Sequence, residues 1–116
     1  MNSIATSGGA IALVMIGTFY PQESAAETFT GTQFLQWSQS GQDNYIGTAV
    51  TMATFVASRT NLDTSACLNG WYAASEAVAA ERNDAIRGAI SRNATYHPSA
   101  VILLVLEEAC GSFTGS

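Results

Sequence analysis

Lysine is absent from this chain, and charged side chains of any kind make up only 11% of its 116 residues. The cations are Arg59, Arg82, Arg87 and Arg92, against nine carboxylates, for a net charge of −5. Such a surface repels phosphate backbones and anionic lipid, which excludes nucleic-acid and membrane-surface binding as working hypotheses. There is one histidine, His97, and there are two prolines and two cysteines, Cys67 and Cys110. No glycine-rich phosphate loop, acidic calcium loop or zinc spacing of cysteine and histidine occurs. No apolar run reaches the roughly 20 residues that a membrane-spanning helix needs.

What is present is hydrophobic: 47% of the residues are apolar, which excludes a disordered chain, and the length fits one domain. Residues 10–20 (AIALVMIGTFY) form an apolar run followed by small residues at Ser24-Ala25-Ala26. That order reads as a secretory signal over residues 1–26, although its leading segment carries no lysine or arginine. Cleavage after Ala26 would leave residues 27–116 as a single helical domain of about 90 residues, a size that is marginal without help. For an exported protein a disulfide is the available help, so Cys67 is expected to pair with Cys110. The pairing closes a loop of roughly 44 residues and is worth about 4 kcal/mol in the chain-entropy treatment.

Along the remaining chain the periodicity is helical, and no strand-length alternation stands out. A short helix is expected to present Phe34, Leu35 and Trp37, starting at Thr30 or Thr32 and ending at Ser40-Gly41. The next is expected to start at Asp43 or Asn44 and run to Thr60, with Tyr45, Ala49, Met52, Phe55 and Val56 facing inward. Asn61 to Gly70 reads as turn chemistry and carries Cys67. Trp71 to Ala80 is alanine-rich and helical in propensity, with a break near Asn83. Asp84 to Asn93 turns Ile86, Ala89 and Ile90 inward and sets Asp84 beside Arg87. Its arginines, five residues apart, stand about 140° from one another and make no stripe. Pro98 opens the last helix, whose stretch from Ala100 to Leu106 is apolar all round and is expected to be central and buried. The fold class is therefore all-α: a compact bundle of four to five short helices stapled by one disulfide.

Catalytic candidates are thin. His97 sits beside Pro98 in an interhelical turn, and no motif supplies it with a nucleophile and an orienting carboxylate, so it reads as a helix cap. The chain is expected to be non-enzymatic, with no catalytic, cofactor or metal site. The tripeptide Asn93-Ala94-Thr95 matches a glycosylation sequon near a helix end.

The order of features is similar to a known family. Gly31-Thr32-Gln33-Phe34-Leu35-Gln36-Trp37 resembles its G-x-x-F/L-L-x-W helix, and Tyr45-Ile46-Gly47-Thr48 its second helix. Cys67, His97-Pro98 and the final run of Ala100, Leu103, Leu106, Ala109 and Cys110 complete the series. Together they resemble the Tai/Rap-type immunity proteins of type VI secretion. A second cysteine pair carried by many members has no counterpart around Ser38 and Asn44–Ile46. The resemblance implies a periplasmic immunity protein that binds and inhibits a peptidoglycan amidase toxin. It leaves a homodimer open, and it carries no inhibitory residue over. The region around Asn61, Asp63, Asn69 and Trp71 is the expected partner surface. The other reading is a small periplasmic protein of the same fold that acts as a general binding module or chaperone.

Overall fold

Four polar side chains divide the chain into its principal helices. Ser38 Oγ accepts from the Gly41 amide at 3.1 Å, Asn61 Oδ1 from Thr64 at 3.3 Å and Ser75 Oγ from Val78 at 3.1 Å. His97 Nδ1 accepts from Ser99 at 3.1 Å. Each satisfies an amide that a helix start would otherwise leave without a partner. The computed structural model describes residues 29–113; the expected signal segment lies outside them. The helices are α1 (Gly31–Phe34), α2 (Gln39–Thr60), α3 (Leu62–Tyr72), α4 (Glu76–Arg92) and α5 (Pro98–Cys110), with no strand among the described residues.

Contacts along the helices give the topology. Ser65 on α3 bonds to Thr54 on α2, and Tyr72 approaches Gly47, so α3 runs antiparallel to α2. Tyr45 pairs with Ser99 and Thr60 with Phe113, so α5 runs parallel to α2. Helix α4 joins α3 to α5 and packs beside the N-terminal part of α2, where Arg87 meets Gln42 and Asp43. The core between them holds Phe34, Ile46, Val50, Leu68, Ile86, Ala89, Ile90, Val101, Ile102 and Leu106. Burying each large one contributes about 1.5–3 kcal/mol.

Several local expectations are corrected. Ser40-Gly41 does not end the first helix, and neither Asp43 nor Asn44 caps the second. Ser38 is the cap, and glycine and serine are tolerated in the first turn, where their amides have no intrahelical partner anyway. Leu62–Gly70 is helix rather than turn, with Asn61 as its cap. Its hydroxyls find distant partners instead of local ones: Thr64 donates to the Ser112 carbonyl and Ser65 to that of Thr54. No break occurs near Asn83, which is buried mid-helix and accepts a 2.6 Å bond from the Tyr72 hydroxyl. Trp71 and Tyr72 close α3 rather than opening the alanine-rich stretch.

The remaining two concern faces. Helix α2 turns Ile46, Val50 and Ala57 inward, leaving Met52, Phe55 and Val56 exposed at 60%, 64% and 46%. Both stripes obey helical spacing, but the inner one brings small residues, Ala53 and Ala57, to where α3 and α5 approach. Helix α5 buries Val101, Ile102 and Leu106 yet exposes Leu103 and Leu104. It packs on α2, α3 and α4, and too few helices exist to surround it.

The two termini of α2 are closed differently. At its start, Phe29, Phe34, Trp37, Tyr45 and His97 form a ring cluster, with Phe29 stacked on Trp37 at 5.3 Å and edge-on to His97 at 5.4 Å. Buried Gln42 points its amide nitrogen at the carbonyls of Phe34, Leu35 and Trp37, 3.1–3.3 Å away, and its oxygen accepts from Arg87. At the far end the Cys67–Cys110 disulfide joins α3 to α5, as expected from the sequence. Beyond it Gly111 (φ 96°) turns the chain back, in a conformation that favours glycine. Ser112 and Phe113 then accept hydrogen bonds from Asn61, Thr64 and Thr60.

Candidate protein-binding surfaces

The sequence nominated His97 as the sole catalytic candidate, and the structure gives its ring two structural duties. Nδ1 caps α5, and the ring edge packs on Phe29. The nearby Ser99 hydroxyl is paired with Tyr45 at 2.6 Å. Among the described residues no group of three histidine, cysteine or acidic side chains is placed to hold a metal ion. No described helix is long and apolar enough to cross a membrane.

Arg87 is the main electrostatic junction. Its guanidinium meets Asp43 on α2 and Asp84 one turn back on α4, both at 3.0 Å, with its side chain only 19% exposed. Burial acts to lower its pKa, but the hydrogen bonds and charges of the two carboxylates outweigh that and hold it above the ordinary arginine value. Arg82 is spent differently: it donates to the Trp71 carbonyl at 2.8 Å and lies over the indole ring at 4.7 Å. Both arginines therefore bind helices to one another. Tyr72, between them, has its phenol pKa raised by burial and by the Asp43 charge, against the opposing bond to Asn83.

The four residues expected to face a partner lie along α3. Asn61, at the start, caps the helix and donates to Ser112; Asp63 and Asn69 are exposed; Trp71, near the other end, is covered by Arg82. Asn61 and Trp71 are separated by ten residues of helix, about 15 Å.

Larger apolar exposure occurs elsewhere. An open groove of about 570 Å³ between α4 and α5 is lined by Ala89, Arg92, Asn93, Tyr96, Ala100, Val101, Leu104, Val105 and Glu108. Tyr96 is 61% exposed and Leu104 63%. A tyrosine and a leucine at an apolar floor, bordered by one cation and one anion, is the composition of a protein interface with a dry centre and polar rim. A second groove, about 560 Å³, lies on the outer side of α2, where Gly47, Thr48, Thr51, Met52 and Phe55 meet Tyr72 of α3. A smaller one, about 330 Å³, separates α2 from α5 beside Met52, Val56 and Leu103.

The sequence reading placed Met52, Phe55, Val56 and Leu104 in the core, which hid the apolar part of these surfaces. The available signal was the surplus of large apolar residues on α2 and α5, more than two short helices can bury. Asn93 of the sequon is occupied as well, its side chain donating to the Ala89 carbonyl at 2.9 Å. In comparisons with known proteins, no family model, no curated protein and no solved structure matches the chain.

Proposed function

We propose that this chain is an exported, non-enzymatic binding domain: an immunity-like protein of the Tai/Rap type that binds and inhibits a peptidoglycan amidase delivered by type VI secretion. The observation that carries the binding role is the α4–α5 groove, with Tyr96 and Leu104 exposed beside Arg92 and Glu108. Large exposed apolar groups on a small domain mark interaction sites. An export origin is supported by the disulfide, which persists in oxidising compartments such as the periplasm.

The residues that carry the family resemblance are builders of this fold. Phe34 and Ile46 are buried, Cys67 and Cys110 are bonded, and His97 caps α5. Gly31 belongs with them, because a Cβ there would meet Ile90 Cγ2 at 2.9 Å and Ala94 Cα at 3.0 Å. A shared scaffold with partner contacts on other residues accounts for both the motif order and the placement of the groove.

Periplasmic coexpression with an amidase encoded beside this gene tests the reading. Protection from lysis by the native chain, lost in Leu104→Asp while the fold is retained, is the expected result. Undiminished lysis in the presence of folded, exported protein would sink the immunity role.

A further inference from the structure

We infer that the partner segment seated in the α4–α5 groove is a short amphipathic helix that brings a carboxylate to Arg92 and a cation to Glu108. This rests on the groove being the partner site, but not on the partner being an amidase.

The groove presents its contacts from a fixed backbone. In the turn between α4 and α5, the Tyr96 amide donates to the Asn93 carbonyl at 3.1 Å, and the Tyr96 carbonyl accepts from the Gly31 amide at 2.9 Å. Thr32 fastens the same turn through the Ala94 carbonyl. The Tyr96 ring, 61% exposed, is therefore an aromatic anchor that gives up little freedom on binding. Ala100 comes four residues after Tyr96 and four before Leu104, and all three line the groove. Exposed Ala100 thus leaves a gap between two large side chains, and no helix of this chain fills it.

The charges at the rim are unspent. Arg82 and Arg87 hold helices together, whereas Arg92 is exposed and forms no ion pair among the described residues. A Cβ at Gly88 would meet Arg92 Nη1 at 3.3 Å, so the guanidinium lies back along α4, one turn before its own backbone. Glu108, on the α5 wall, is exposed and also without an ion pair among the described residues. In a chain with four cations, two such opposite charges beside one apolar floor are open to a partner carrying the complementary pair.

The kind of segment follows from what the groove lacks. No strand among the described residues offers an edge to an extended peptide, and one aromatic ring does not make the aromatic-lined groove that a proline helix needs. An apolar floor between charged rims fits a helix with its stripe at i, i+3 and i+7. That stripe spans about 10.5 Å, and α5 rises about 12 Å from Ala100 to Glu108. A helix whose flanking charges shared one sign would set a like charge against Arg92 or Glu108.

Three crosslinked helical peptides with leucines at the stripe positions test this, by fluorescence anisotropy against the oxidised protein. One has an acidic residue at one end of the stripe and a basic residue at the other; the second has acids at both ends, the third bases at both. The mixed peptide should bind the native chain about tenfold more tightly than either of the others. Arg92→Glu should move the preference to the dibasic peptide and Glu108→Arg to the diacidic one, while Leu104→Asp should abolish binding of all three. No binding by any peptide, a dibasic preference already in the native chain, or a preference unmoved by the two rim variants would each overturn the inference. Protection from lysis that still depends on Leu104 while no peptide binds would keep the groove as the partner site and remove the helix alone.

Discussion

Helix α2 is held at its N-terminal end by packed rings and one buried amide, and at its C-terminal end by a covalent bond and backbone-directed hydroxyls. The ring end gathers Phe29, Phe34, Trp37, Tyr45 and His97 around Gln42; the stapled end has Cys67–Cys110 and the hydroxyl and amide donors of Thr60, Asn61 and Thr64. The contrast shows two solutions to one problem. A domain this small has an interior too short to hold its own extremities, so each needs a clamp. Where aromatic residues are available, shape and dispersion do this; where the chain is threonine- and serine-rich, a crosslink and hydrogen bonds do.

The comparison can be broken from either side. Phe34 is fully buried and touches both Trp37 and Tyr45, so Phe34→Ala should cost the most, about 3–5 kcal/mol by urea denaturation. Opening the staple with Cys67→Ser should cost about 2–4 kcal/mol, and reductant should lower the native protein to the same midpoint while leaving the variant unmoved. If reduction has no effect, the two ends are not equivalent clamps. Gln42→Ala leaves three carbonyls and the Arg87 guanidinium short of a partner and should cost about 1–3 kcal/mol. Gly31→Ala pushes a methyl against Ile90 and the Ala94 backbone and should cost a similar 1–3 kcal/mol, roughly the penalty of overpacking.

The smallest effect is one of pH, and it lies at neither end. Tyr72 has a folded-state pKa raised above its ordinary 10.0. The unfolded chain therefore loses that proton first. The associated stability is whole below pH 10.0 and drains away as pH climbs through the higher, folded value. Thermal melts on the alkaline side should show a shallower decline for Tyr72→Phe than for the native chain.

Much of the fold was legible in the sequence because it depends on short-range signals. The all-α class follows from periodicity, the start of α5 from Pro98, the inward face of α4 from Ile86, Ala89 and Ile90, and the disulfide from two cysteines in a chain expected to be exported. The misread stretches share a different cause. Asn61–Gly70 looks like turn chemistry because asparagine, threonine and serine compete with helix locally. Here Thr64 and Ser65 spend their hydroxyls on Ser112 and Thr54, contacts 48 and 11 residues away, which no local pattern reports. Likewise α2 carries two apolar stripes of equal periodicity, and only its neighbours decide that Ile46 and Val50 go in while Met52 and Phe55 stay out. The candidate surfaces inherit that ambiguity: their exposed Met52, Phe55, Val56 and Leu104 are residues that periodicity assigned to the interior.

Phe29 sets a limit on any trimming of the N-terminus. It is the first described residue, and its ring touches Trp37, Tyr45 and His97. A cut immediately after it would strip away three ring contacts. The expected processing site after Ala26 lies ahead of Phe29, with two residues between. For the same reason, an N-terminal affinity tag should join the chain ahead of Phe29, and shortening the chain past that residue should be read out as lost folding yield.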